Sequence, residues 1–145
     1  MTRIRRSKRL LPFRIWELEF RIWGQQMKYS DLVVWQKAMD LVTFIYKSTA
    51  VFPNEERFGL TSQIRRAAVS VPSNIAEGHG RKATGAYLNH ISIALGSVME
   101  LETQLQIALR LDFIDANTCT LLLSQTDEIG RMLGGLRKSI SSQSE

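Results

Sequence analysis

From Leu32 to Ile140 apolar residues recur every three or four positions, the spacing that lines one face of an α-helix. Four such stripes follow one another. The first runs through Trp35, Ala38, Val42, Ile45 and, a heptad later, Phe52, with Thr49 as a polar interruption; Pro53 ends it, because proline cannot extend a helical hydrogen-bond ladder. The second opens near Leu60 and Thr61 and aligns Leu60, Ile64, Ala67, Val71 and Ile75. Gly78 and Gly80 are placed to end it, since glycine takes up left-handed backbone at little steric cost. In the third, Thr84 is the expected N-cap, and Tyr87, Ile91, Ala94, Val98, Leu101, Leu105 and Ala108 alternate by four and three. The fourth starts from an Asp115 cap and carries Cys119, Leu122, Ile129, Leu133, Leu136 and Ile140, with Thr126 inside the stripe, before fraying into SSQSE.

Four amphipathic rods of about 18 to 27 residues with short connections predict an all-α fold, an antiparallel up-down-up-down four-helix bundle. Pro72 lies inside the second rod, where its ring crowds the carbonyl of Ala68 and its missing N–H removes a ladder bond. A kink between Ala68 and Pro72 is expected, with a break into two shorter helices as the competing outcome. Folding the second and third rods about a turn centred on Arg81 and Lys82 sets their register. Gln63 to Arg66 then lies beside Ser97 to Glu100, Asn74 beside Asn89 and His90, and Glu77 beside Ala86 and Tyr87. This places Gln63, Asn74, Glu77 and Glu100 as structural polar residues. Arg65 or Arg66 is expected to pair with Glu100 or Glu102, Asn74 to make a register-fixing hydrogen bond, and Glu77 to accept from the N–H groups opening the third helix.

Charge changes the picture at one end. Of 19 basic and 14 acidic residues, residues 1–28 hold eight basic groups against Glu17 and Glu19, so the remainder is nearly neutral. The same stretch repeats RIW at 14–16 and 21–23; a helix would align Phe13, Trp16, Phe20 and Trp23, whereas a strand would alternate Trp16, Leu18, Phe20 and Ile22. The division expected is a basic N-terminal extension over 1–28, either disordered or upstream of a true start at Met27, followed by the bundle domain over 29–145. A single cysteine, Cys119, excludes an internal disulfide and suits a reducing, cytoplasmic setting, and the chain has no uncharged apolar run of about 20 residues to span a membrane.

Candidate chemistry is sparse. Neither His79 nor His90 follows a glutamate by three residues, so the pattern of a dimetal bundle is missing and no metal or cofactor is expected. The arginine-to-histidine spacings, thirteen from Arg66 to His79 and nine from Arg81 to His90, are longer than the four to six of all-helical HEPN-type ribonucleases, which they would need to resemble. Cys119 lies on the apolar stripe as a packed thiol, and GHGRKATG follows no strand as a phosphate loop would. No catalytic residue is assigned and an enzyme is not expected. Gly96 in mid-helix and a second apolar row on the third rod, Leu88, Leu95, Met99 and Leu109, favour self-association through an additional face.

Three ordered strings, DLVVWQKAMDL (31–41), FPNEERFGLTSQIRRAAVSVPSNIAEGHGR (52–81) and ALGSVMELETQL (94–105), resemble a bacterial four-helix-bundle family. That family includes the 23S rRNA intervening-sequence proteins and the accessory variability determinants of diversity-generating retroelements. The residues here that match its pattern are Trp35, Gln63, Arg66, Ser70, Pro72, Asn74, Glu77, Gly78, Arg81, Gly96, Ser97 and Glu100. His79 departs from it, standing where an aromatic is usual, and residues 1–28 fall outside it. The resemblance implies a homopentamer without known catalytic activity; in the retroelement branch it implies nucleic-acid and reverse-transcriptase binding through basic surfaces.

The function expected is a non-enzymatic homo-oligomeric adaptor acting on RNA or DNA, or beside a reverse transcriptase or other RNA-handling protein. Its candidate nucleic-acid contacts are Arg65, Arg66, Arg81, Lys82, Arg131, Arg137 and Lys138. The alternative is a purely structural protein-interaction oligomer that binds no nucleic acid.

Overall fold

The computed structural model describes residues 27–143. Four helices account for most of them: α1 (Val33–Thr49), α2 (Leu60–His79), α3 (Thr84–Arg110) and α4 (Ala116–Gln143). Short 3-10 turns at Tyr29–Asp31 and Asn54–Glu56 precede α1 and α2. Packing runs in a closed circuit, α1 on α2, α2 on α3, α3 on α4 and α4 on α1, which is the up-down-up-down bundle that short connections impose. Among the described residues there is no strand. The competing readings of residues 13–23 lie outside the described part.

The stripes of α3 and α4 enter the core as the spacing predicts, every one of their named apolar residues being buried. Thr126, fully enclosed, returns its hydroxyl proton to the Leu123 carbonyl at 2.9 Å. In α1 the buried line keeps Ala38 and Ile45 of the expected stripe and differs by one position at Trp35 and Val42. Val34, Ala38, Leu41 and Ile45 fill the core, while Trp35 and Val42 are only half-buried on the side facing α2. Val33, Val34 and Trp35 are all apolar, so periodicity alone does not say which is central. Thr49 is buried and donates to the Ile45 carbonyl at 2.8 Å.

Helix α2 passes through Pro72 as one continuous helix, not two. Its end differs from the expectation. Gly78 sits inside the last turn and Gly80 is right-handed at φ −76°; among the described residues no glycine has positive φ. The left-handed closure occurs instead at Asp112 (φ 58°) after α3, where Phe113 N–H donates back to the Ala108 carbonyl at 2.9 Å in a Schellman arrangement. The N-cap of α3 is Ala83, one residue before Thr84. At α4 the cap is Asp115, whose carboxylate accepts from the Thr118 N–H (2.8 Å) and hydroxyl (2.7 Å).

Around this frame Phe52 and Phe113 pack ring on ring (centroids 5.8 Å apart), joining the two linkers at one end. Lys37 and Glu128 bridge α1 and α4 at 2.9 Å. Cys119 is buried against α3, its thiol directed at the Leu105 carbonyl (3.8 Å), and burial raises its pKa above that of a free thiol.

Candidate functional site

The seam between α2 and α3 carries a chain of polar contacts. Ser97 donates its hydroxyl to Ser70 Oγ at 2.8 Å; Asn74 Nδ2 donates to the same oxygen at 3.0 Å and to the Ser70 carbonyl at 2.9 Å. With its amide nitrogen so used, Asn74 presents Oδ1 to His90 Nδ1 at 3.0 Å, which places the imidazole proton on Nδ1. Glu77 stands 3.7 Å beyond on the same nitrogen, largely exposed, and is not at the opening of α3 as expected. The Asn74–His90 pairing is the one that the turn-centred register predicts.

Above these contacts Gln63, Arg66, Ala67, Ser70, Ser97 and Glu100 line an open groove of about 340 Å³. The predicted level is right and the predicted ion pair is not formed. Arg66 and Glu100 share the groove without coming within ion-pair distance, and Glu100 accepts instead from Gln104 Nε2 at 3.0 Å. Arg65 turns the opposite way, toward α1. Its Nε donates to Thr49 Oγ1 at 2.9 Å and its guanidinium covers the Tyr46 ring at 4.5 Å, so it neutralises no carboxylate of α3. Sequence reasoning did not single out Gln104, which is buried with Oε1 unpartnered.

At the lower end of the seam Gly78 lets α2 approach α3 beneath Tyr87 and His90. Burial holds the Tyr87 phenol far above its usual pKa. His79 Nε2 contacts the Met27 carbonyl at 2.6 Å, and the ring meets Tyr87 edge-on at 5.9 Å. That half-buried imidazole thus ties the end of α2 to the segment leading into α1 and to α3.

Helices α2 and α4 run in the same direction and finish at the same end. Arg81 and Lys82, exposed in the turn after α2, thereby share that end with Arg137 and Lys138, exposed near the close of α4. Lys28 lies there too, and the nearby acids are Asp31 and Glu77. The other three candidate contacts do not join them. Arg65 is held by α1, Arg66 sits on the upper groove, and Arg131 is paired with Asp127 one turn earlier.

On the opposite flank of α2 an apolar groove of about 350 Å³ lies between α1 and α2, lined chiefly by Tyr29, Trp35, Met39, Val69, Pro72 and Ala76. The second apolar row of α3 is largely absorbed. Leu88, Leu95 and Leu109 pack on the core, and only Met99 is exposed, at 64%. Gly96 faces open space. Among the described residues no three metal-ligating side chains converge, and no helix is long and apolar enough to cross a membrane.

The profile of the family described as 23S rRNA-intervening sequence protein matches residues 30–135. A solved structure from Bacteroides thetaiotaomicron VPI-5482, a protein of unknown function from the S23 ribosomal protein family, superposes with a TM-score of 0.69. It is 26% identical, over 77% of this chain and 99% of its own. No curated protein matches the chain.

Proposed function

The chain belongs to the 23S rRNA-intervening sequence protein family, and we propose that it works as a non-enzymatic, homo-oligomeric adaptor that holds RNA at one end of the bundle. The observation carrying this reading is the meeting of Arg81, Lys82, Arg137 and Lys138 at the end where the basic residues 1–28 join the bundle. Exposed arginines and lysines on a nearly neutral body suit phosphates, which bind through charge and counterion release rather than through a shaped pocket. Self-association multiplies such a surface, and the pentamer implied by the family resemblance would present five copies of it. The partner is an RNA, with a reverse transcriptase or another RNA-handling protein as a second ligand of the same assembly.

Fluorescence anisotropy of labelled RNA with the full chain tests it. Binding at about 50 mM salt should fall steeply by about 200 mM, as expected where several phosphates are neutralised. Replacing Arg81 and Lys82 by alanine should weaken it for every RNA sequence tried. Absence of salt-sensitive binding would end the nucleic-acid reading. Sedimentation gives the assembly mass. The second reading, a protein-interaction oligomer, is favoured by the apolar groove between α1 and α2, and predicts a protein complex that survives Arg81→Ala with Lys82→Ala.

A further inference from the structure

We infer that the groove between α1 and α2 is covered by the chain's own N-terminal segment, through the aromatic residues between Phe13 and Trp23. The path of the backbone favours this occupant. Met27, the first described residue, is held at the end of α2, where its carbonyl meets His79 Nε2 at 2.6 Å. Two residues on, Tyr29 is itself a wall of the groove, set edge-on against Trp35 with ring centroids 5.4 Å apart. Residues 1–26 therefore join the bundle at the mouth of the groove.

Reach and composition agree. Along α2 the groove runs from Ala76 back to Val69, roughly 10 Å by the helical rise, and it starts about one turn from His79. Trp23 and Phe20 precede Met27 by four and seven residues, at most about 14 and 25 Å of extended chain. Trp16 and Phe20 share a face on the helical and on the strand period alike, so an aromatic edge is on offer in either case. The groove offers apolar surface in return: Met39 and Val69 at its rim are 41% and 39% exposed, over Trp35 and Pro72. A short tether also decides between occupants. It holds the segment at an effective concentration on the order of millimolar, far above that of a separate protein in solution. A protein partner of this groove, the second reading above, would have to displace it. None of this depends on RNA binding.

The test uses the full chain with Ser73→Cys, an exposed position in the groove, and follows alkylation of the new thiol; Cys119 is buried, and the parent chain gives its background rate. A companion chain adds Trp16→Ser, Phe20→Ser and Trp23→Ser, all outside the bundle residues. Labelling should be slower by about tenfold with the aromatics present, the protection of a site uncovered about a tenth of the time. Equal rates in the two chains overturn the inference. Protection that persists in the companion chain gives the groove to another occupant and overturns it too. In a third chain Arg21→Cys joins Ser73→Cys, and a bismaleimide bridges the pair. A bridge within single chains, at unchanged chain mass in a denaturing gel, is the expected result. No bridge, or bridges only between chains, which would assign the groove to a neighbour's segment, overturns the inference and leaves the RNA reading standing.

Discussion

A methyl group at position 78 would stand 2.8 Å from His90 Cβ and 2.9 Å from Tyr87 Cδ2, closer than carbon atoms approach, and neither neighbour is the free end of a flexible chain. Gly78→Ala should therefore destabilise by about 1–3 kcal/mol, the range for overpacking, read from the urea midpoint at unchanged slope. The sequence marks this glycine and suggests a different reason for it, a helix end, since close approach to a residue twelve positions away leaves no local trace. Asp115 illustrates a residue whose role is fully local and was legible. Its carboxyl is held below its ordinary pKa, first by the Thr118 backbone N–H and then by the Thr118 hydroxyl. A lowered folded-state value means that the cap's contribution is whole above the unfolded carboxylate range and disappears as pH falls through the folded value. Asp115→Ala should be less stable than the parent at neutral pH, and the two should converge in acid, which urea titrations at both pH values would measure. Neither Arg65 nor Arg66 makes the expected ion pair with Glu100 or Glu102, because two adjacent arginines on one helix meet different neighbours and spacing does not say which neighbour each one meets.

Between elements, the hydroxyls of Ser70 and Ser97 tie α2 to α3, so single alanine replacements should not add. A double-mutant cycle is expected to give a coupling of about 0.5–1.5 kcal/mol, the net value of a typical intramolecular hydrogen bond; no coupling would mean that the contact is made through water. Helix existence and order could be read from periodicity, and the register of α2 against α3 from the short turn between them. In α1 periodicity finds Ala38, Ile45 and Phe52 but takes Trp35 in place of Val34 and Val42 in place of Leu41, because adjacent apolar residues carry no marker of which one is central. The closure at Asp112 was missed because it uses an aspartate in the conformation that glycine usually occupies, stabilised by backbone groups that any sequence has. The polar floor of the α2–α3 groove was partly legible, through Gln63 and Glu100, whereas burial of Gln104 depends on how α3 is rotated by its neighbours.

At the scale of the whole molecule, overall charge says little and its placement says more. Residues 29–145 are nearly neutral by composition, yet the shared direction of α2 and α4 brings Arg81, Lys82, Arg137 and Lys138 to one end. Neutralising all four should flatten the dependence of log affinity for RNA on log salt by about 3, if each meets a phosphate. Loss of affinity with an unchanged slope would place the contacts elsewhere. This gathering cannot be seen along the chain, where the pairs lie more than fifty residues apart; it follows only from the parity of the helices.

Cys119, the chain's one thiol, faces the Leu105 carbonyl across the α3–α4 seam with 1% of its surface accessible. An alkylating reagent can reach that sulfur only while α4 stands away from α3, so the rate of iodoacetamide labelling times the breathing of the bundle with no dye or isotope added. Ligands that clamp the assembly should slow this built-in clock, and those that pry it apart should quicken it.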